Sequence, residues 1–288
     1  MTGEGLDTGQ PTVSVVIATY RSSYLTETLA SVISQTHHEL EILVLDDANE
    51  PECRDLVAAM GDSRLRYIAN QNSLGPALNH AKGISEATGS YIALVNHDDI
   101  LEPSALERFV AALSAVPEAV AAFSRPRVIL ADGTEDSKKT EQAWATWNLV
   151  DIPNGVINEW TRLGMRLAFP INPSAVFRAH VIKDIGVPKA VGGSYDYWVA
   201  YRAARLGPVI HVPEAIGYWR EHDGNLTIVR SAARTFERVY LDGHLIFDAG
   251  LSLRERSRAL GRLPRSIGAW LRDILRSRRA ATHTSARS

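Results

Sequence analysis

Cysteine is almost absent. Cys53 is the single cysteine in 288 residues, which excludes an internal disulfide and a cysteine-built zinc cluster and suits a reducing compartment. No apolar run approaches the length that spans a bilayer. The polar, acidic stretch 1–11, MTGEGLDTGQP, has no apolar core of the kind a signal peptide carries and reads as a disordered lead-in. No Gly-x-Gly-x-x-Gly follows the first strand-like stretch and no Gly-x-x-x-x-Gly-Lys-Ser/Thr occurs, which argues against a dehydrogenase and an ATPase. Strong net charge is missing too, at −2 overall, but the charge is uneven. From Leu251 onward ten Arg stand against Glu255 and Asp273, leaving that tail at +8 and the rest at −10. An acidic body argues against a nucleic-acid-binding core, while the basic tail allows contact with an anionic surface. The expected location is cytoplasmic, with the tail offering peripheral contact at the inner membrane face.

What is present is an ordinary globular balance, 45% apolar and 22% charged, enough for a substantial core. Val13–Thr19 is a nearly continuous β-branched run, as in a strand buried on both faces. Tyr24–Gln35 follows at helical spacing, then a strand at Glu41–Leu45 and a helix at Glu52–Met60. A short strand at Leu65–Ile68 precedes a helix at Pro76–Thr88 with Gly89 as its expected stop. Tyr91–Val95 is the fourth strand, and Pro103–Val116 an amphipathic helix. Such alternation predicts an α/β fold with a mostly parallel central sheet flanked by helices.

After about residue 118 the alternation stops. Val120–Phe123 and Arg127–Leu130 read as strands around a turn at Asp132-Gly133. Glu135–Arg166 reads as a loop-rich, aromatic segment. Short strands are expected at Ser174–Phe177, Val209–Val212 and Ile216–Trp219. Helices are expected at His180–Ile185, Tyr195–Leu206, 231–249 and Ile267–Arg279, the last short and basic. The chain divides into the lead-in, a half at 12–118, a mixed second half at 119–228 and a helical basic tail at 229–288.

Chemistry gathers where strands end. Asp46-Asp47 closes the second strand and Asp98-Asp99 the fourth. Asp196 opens a helix, and Glu221-His222-Asp223 follows a late strand. Adjacent carboxylates at a buried strand end are costly to desolvate together, and a hard divalent cation removes that cost. The plain alternative is a solvated turn or helix cap. In open α/β sheets, ligands bind outside the carboxyl ends of the strands.

VSVVIATY at Val13–Tyr20, followed by EILVLDD, then GPALNHAKGISEATGSYIALVNHDDILEPSAL, NPSAVFR, SYDYWVAYRAARLG and YWREHDGNLT, together resemble the family 2 glycosyltransferases of the GT-A fold over roughly residues 12–228. The resemblance implies an inverting enzyme that uses a nucleotide-sugar donor, UDP- or dTDP-linked, with Mn²⁺ or Mg²⁺. It makes Ala18, Thr19, Tyr20, Asp47, Asn79, His80 and Asp98 the nucleotide-side residues, with Tyr20 a candidate to stack on the base. Asp98, Asp99 and His222 become the metal ligands and Asp196 the general base. His97 is expected to face away from the metal. Three positions depart from the family's habit. Asn96 stands at the first place of the Asp-x-Asp-Asp run, Asn79-His80 in a region that often holds Arg-Asn, and Tyr195 where the residue before the base is often acidic.

The acceptor is left as a glycan, a glycolipid or a small molecule, with polysaccharide and cell-envelope products both open. Trp144, Trp147 and Trp160 are candidates for an acceptor platform or a satellite core. Two rivals are a nucleotidyltransferase, against which the lack of a Gly-rich basic loop after Thr19 counts, and a non-catalytic nucleotide- or glycan-binding module.

Overall fold

The structure, a computed structural model, describes residues 12–158, 160, 170, 172–225 and 231–285; the lead-in expected at 1–11 lies outside them. The first half alternates as expected: β1 (Val13–Thr19), α1 (Leu25–Ile33), β2 (Leu40–Asp46), α2 (Pro51–Ala59), β3 (Leu65–Ala69), α3 (Pro76–Glu86), β4 (Tyr91–Asn96), β5 (Ile100–Leu101) and α4 (Ala105–Ala115). The second half runs β6 (Ala121–Phe123), β7 (Arg127–Leu130), α5 (Ser137–Thr146), β8 (Gly155–Ile157), β9 (Ala175–Arg178), α6 (Ala179–Ile185), a 3₁₀ segment at Lys189–Ser194, α7 (Tyr195–Ala203), β10 (Val209–His211) and β11 (Gly217–Glu221). It closes with α8 (Ala232–Phe247) and α9 (Leu253–Ser285).

One eight-stranded sheet has the order β3-β2-β1-β4-β9-β6-β10-β8, and a three-stranded sheet has the order β5-β11-β7. β1 pairs parallel with β2 and β4, and β2 with β3, so their carboxyl ends share one edge. The register sets Thr19 beside Asp46 and Ala18 beside Asn96. β9 runs antiparallel between β4 and β6, which joins the two halves in a single sheet. Because chain order reverses about β1, the crevice beyond β1 and β4 is the place where such sheets take ligands.

The period of two along buried strands splits the core in two. Val13, Val15 and Ile17 pack with Leu29, Val32 and Phe109 on the α1/α4 side. Val16, Leu43, Leu45 and Leu94 pack with Ile84, Phe177 and Val199 on the α3/α7 side.

Four expectations change. Gly89 does not stop α3; Ala87 is its cap, in extended conformation. Gly89 instead allows a close crossing, since a Cβ there would lie 2.6 Å from the Thr12 carbonyl oxygen and 2.8 Å from Ser14 Oγ. The strands at 121–123 and 127–130 do not flank the Asp132-Gly133 turn. They lie in different sheets, and the turn folds the chain after β7 back so that Ile129 bridges Glu135. Within the segment read as loop, α5 forms under a side-chain cap, with Asp136 accepting the Lys139 N–H at 2.9 Å. Only Thr140 of that helix is buried, so it carries no apolar stripe to announce it. The tail helix is far longer than expected, 33 residues with Pro264 inside it. It packs back along α8, where Arg262 and Ser266 hold Asp242. Among the described residues no helix is long and apolar enough to cross a membrane.

Candidate functional site

A cavity of about 550 Å³ opens at the carboxyl edge of β1, β2 and β4. Ala18, Thr19 and Tyr20 form one wall, Asp47, Asn79 and His80 another, and Asn96, His97 and Asp98 the floor; Tyr195 and Asp196 close the far side.

The two acidic pairs are not used alike. Asp46 Oδ1 accepts Ala48 N–H at 2.9 Å, and its Oδ2 accepts Glu50 N–H at 3.1 Å and the Tyr67 hydroxyl at 2.7 Å. It shapes the turn after β2. Asp47 touches the cavity but receives four donors: Asn70 Nδ2, Ser73 Oγ, and the N–H groups of Leu74 and Gly75, all within 2.7–2.8 Å. Those fill the carboxylate's acceptor positions. Asp47 therefore fixes the 73–75 loop and the start of α3. Asn79 is also buried and occupied, giving its amide to the Leu45 carbonyl oxygen and accepting from Asn70.

Asp98 and Asp99 part at the end of β4. Asp98 reaches the cavity, and its Oδ2 lies 2.9 Å from His222 Nε2. Asp99, expected beside it as a ligand, is turned under the floor and is fully buried. Its Oδ1 accepts the Arg220 N–H at 3.1 Å and its Oδ2 accepts Asn96 Nδ2 at 3.1 Å. Burial, with the neighbouring Asp98 charge, raises its pKa well above the usual carboxylate range. Consecutive residues leaving a strand point to opposite sides, which sends one carboxylate out and one in.

His97 lines the cavity, its Nδ1 accepting Tyr20 N–H at 3.1 Å. Tyr20 itself is half exposed at the rim, with the Arg21 guanidinium 5.3 Å from its ring centre.

The Asp98–His222 pair fits a divalent ion. Two cis ligands about 2.1 Å from an octahedral cation sit about 3 Å apart. His222 Nδ1 accepts the Gly224 N–H at 3.1 Å, so the ring proton sits on Nε2 and is donated to Asp98 Oδ2; holding a cation at Nε2 would require that proton to move to Nδ1 and the Gly224 contact to break. Among the described residues no three His, Cys, Asp or Glu side chains converge, so remaining positions fall to ligand oxygens and water.

Asp196 opens α7 with its carboxylate exposed to the cavity. Oδ1 accepts Tyr197 N–H at 2.7 Å. Surrounding protein raises its pKa by desolvation, opposed by that N–H and by Arg234 and reinforced by Glu237. A raised carboxylate suits proton abstraction near neutral pH. Glu237 in turn accepts Gly193 N–H at 3.0 Å and the Ser194 hydroxyl at 2.7 Å, tying α8 to the segment just before Asp196.

Sequence reasoning missed Arg220. It is fully buried in β11 and donates to the carbonyl oxygens of Asp98 (2.9 Å) and Ala131 (3.2 Å) and to Glu27 Oε2 (2.6 Å), with its guanidinium over Tyr24. A lone Arg in a strand carries no signal of this; its position two residues before His222 was the available hint. The tryptophans separate. Trp160 is core, edge-on to Phe123, and Trp144 donates to the Pro126 carbonyl oxygen. Trp147 does reach the cavity, edge-on to Trp219 with ring centres 5.4 Å apart.

The family model described as glycosyl transferase family 2 matches residues 14–186. An uncharacterized glycosyltransferase of Nostoc is 26% identical over 224 residues, covering 74% of this chain and 66% of its own length. One from Haemophilus influenzae is 28% identical over 226 residues, covering 75% and 67%. The chain thus spans about two thirds of these relatives. The crystal structure of Staphylococcus aureus TarS 1-349 in complex with UDP-GlcNAc matches with a TM-score of 0.64 at 18% identity, over 88% of this chain and 72% of that one. The GT-A architecture and the matched span agree, and the chain belongs to glycosyl transferase family 2.

Proposed function

We propose that the protein moves a sugar from a UDP- or dTDP-linked donor to an acceptor hydroxyl with inversion at the anomeric carbon. The observation that carries this is one cavity lined by both Asp98, whose Oδ2 meets His222 Nε2 at 2.9 Å, and the raised-pKa Asp196. Similar TarS structures contain UDP-GlcNAc and UDP, which supports a nucleotide-sugar donor.

Asp196 is the base. Its free carboxylate oxygen takes the acceptor hydroxyl's proton while the acceptor's own oxygen bonds to the anomeric carbon. The bond from the anomeric carbon to the diphosphate oxygen breaks, and the leaving nucleoside diphosphate keeps the electron pair. Asp98 and His222 would hold Mn²⁺ or Mg²⁺, which supplies neutralisation of the diphosphate charge. Tyr20 at the rim offers its ring to the nucleotide base.

The test is twofold. UDP or dTDP with Mn²⁺ raises the melting temperature by mass action. The matching sugar nucleotide is turned over, releasing free diphosphate. Binding without any release would instead identify a nucleotide-binding module.

A further inference from the structure

His80 contains an unused acceptor. Its Nδ1 lies 2.9 Å from the Pro76 carbonyl oxygen. A carbonyl only accepts, so Nδ1 carries the proton and Nε2 presents a bare lone pair. Nε2 is buried without a hydrogen-bond partner, although the ring lines the cavity. Burial lowers the pKa to about 4, so the ring is neutral at working pH. Tyr195 stacks on it, ring centres 3.9 Å apart and planes 21° apart. The Tyr195 hydroxyl accepts from Asn172 and donates to Asn96 at 2.9 Å, so this wall carries no charge.

We propose that His80 Nε2 is a specificity-determining acceptor for one hydroxyl of the transferred sugar. The inference rests on the nucleotide-sugar reading. The neighbouring base, Asp196, must face the anomeric carbon, and Tyr195 directly precedes it, so this wall meets the sugar rather than the nucleoside. A lone pair repels an anionic oxygen, so His80 cannot serve the diphosphate. It favours a neutral, hydroxyl-bearing face of the sugar.

The experiment compares binding of UDP, UDP-glucose and the UDP-glucose analogues in which one sugar hydroxyl at a time is replaced by fluorine, using wild type and His80→Leu. If dTDP is the nucleotide that binds, the dTDP series is used. The ratio of UDP-glucose to UDP affinity, rather than UDP affinity itself, should fall in His80→Leu. One analogue should bind wild type roughly two- to tenfold more weakly, the worth of one hydrogen bond, with that loss absent in His80→Leu. Equal loss of UDP and UDP-glucose in the variant would overturn the assignment, as would a panel in which no analogue is weakened in wild type. The second criterion needs no variant to fold. If wild type binds neither nucleotide, the donor reading itself fails.

An independent observation concerns α9. Leu253, Leu260, Leu271 and Leu275 are exposed, and at 3.6 residues per turn they fall in one row, opposite the buried Ala259 and Asp273. Arg254, Arg258, Arg265, Arg272 and Arg276, all exposed, form a second row beside it. Leucine and arginine rows side by side along a helix suit one lying in a lipid interface. We infer that this face docks on an anionic membrane, with the leucines among acyl chains and the arginines at headgroups.

Full-length protein should sediment with phosphatidylcholine vesicles that contain phosphatidylglycerol, should not sediment with phosphatidylcholine alone, and should be released by salt. Leu260→Asp with Leu271→Asp should weaken binding by about tenfold or more. Binding unchanged in that variant overturns the inference. So does a concentration-dependent dimer in solution that the same variant abolishes, since a second copy then covers the face.

Discussion

Asp98 Oδ2 and His222 Nε2 meet at 2.9 Å across 124 residues of sequence. The contact joins the end of β4 in the large sheet to the loop after β11 in the small one, and it needs both sheets in place. If it is the cation grip, neither side chain serves without the other. Asp98→Asn and His222→Ala should each lower Mn²⁺-dependent UDP affinity by at least about tenfold, one lost strong ligand interaction. The double variant should be little worse than either single one. Titration of UDP with and without Mn²⁺ reads this directly, and full additivity would separate the two roles.

Asp196 makes a pH prediction. Desolvation raises its folded pKa above the ordinary carboxylate value. The base works only when ionised, so kcat/KM should fall on the acid side at a pH above that of an unperturbed aspartate. Asp196→Asn should abolish turnover while UDP affinity stays within about twofold. Stability moves the other way. A raised folded pKa favours the native state below the unfolded pKa, and that advantage is lost as pH rises through the folded pKa. The wild type should lose melting temperature over that window relative to Asp196→Asn, and parallel curves would contradict it.

Much of the fold is legible in the sequence. Val13–Thr19, Leu40–Asp46 and Tyr91–Asn96 are long apolar runs whose only stable place is between helix layers, so strands and ends followed from pattern alone. Motif order singled out Asp98, Asp196 and Tyr20, which line the cavity, and His222, which contacts Asp98. What was hidden depends on contacts distant in sequence. Whether Asp47 faces a ligand or the 73–75 loop, and which of Asp98 and Asp99 turns inward, is decided by Asn70, Leu74 and Arg220, which no local window contains. Helix α5 was hidden for the opposite reason: it buries almost nothing.

Gly89 is a packing test of the same sheet. Its N–H donates to Ser14 Oγ at 2.8 Å, and no room exists for a Cβ against the Thr12 carbonyl oxygen. Both obstacles are at the start of β1, so the strand itself must shift. Gly89→Ala should destabilise by about 1–3 kcal/mol, the cost of overpacking, and chemical denaturation measures it. A neutral result would mean that β1 gives way freely.

Trp147 is the tryptophan of the original three that reaches the cavity. Its ring meets Trp219 edge-on, and both rings line the cavity. If an acceptor sugar stacks there, Trp147→Ala should raise KM for the acceptor several-fold, about 0.5–1.5 kcal/mol of aromatic contact, with donor KM unchanged. Steady-state kinetics with each substrate varied in turn distinguishes this from a general loss of cavity shape, which would raise both.

Arg220 is the most exacting case, because its worth lies in geometry rather than charge. Among the described residues it forms an ion pair with Glu27, whose half-exposed side chain lets water screen that end of the contact. The planar guanidinium instead spans the Asp98 and Ala131 carbonyl oxygens and Glu27, in directions that a single ammonium cannot reach together. Arg220→Met leaves those buried oxygens unpaired and should cost about 3 kcal/mol or more. It also frees the Asp98 backbone, so Mn²⁺-dependent UDP binding should weaken in protein that remains folded. Arg220→Lys, which keeps the charge, should recover little of either. If lysine restored both the melting temperature and UDP affinity, charge rather than the fixed fork would be what holds Asp98 toward the cavity.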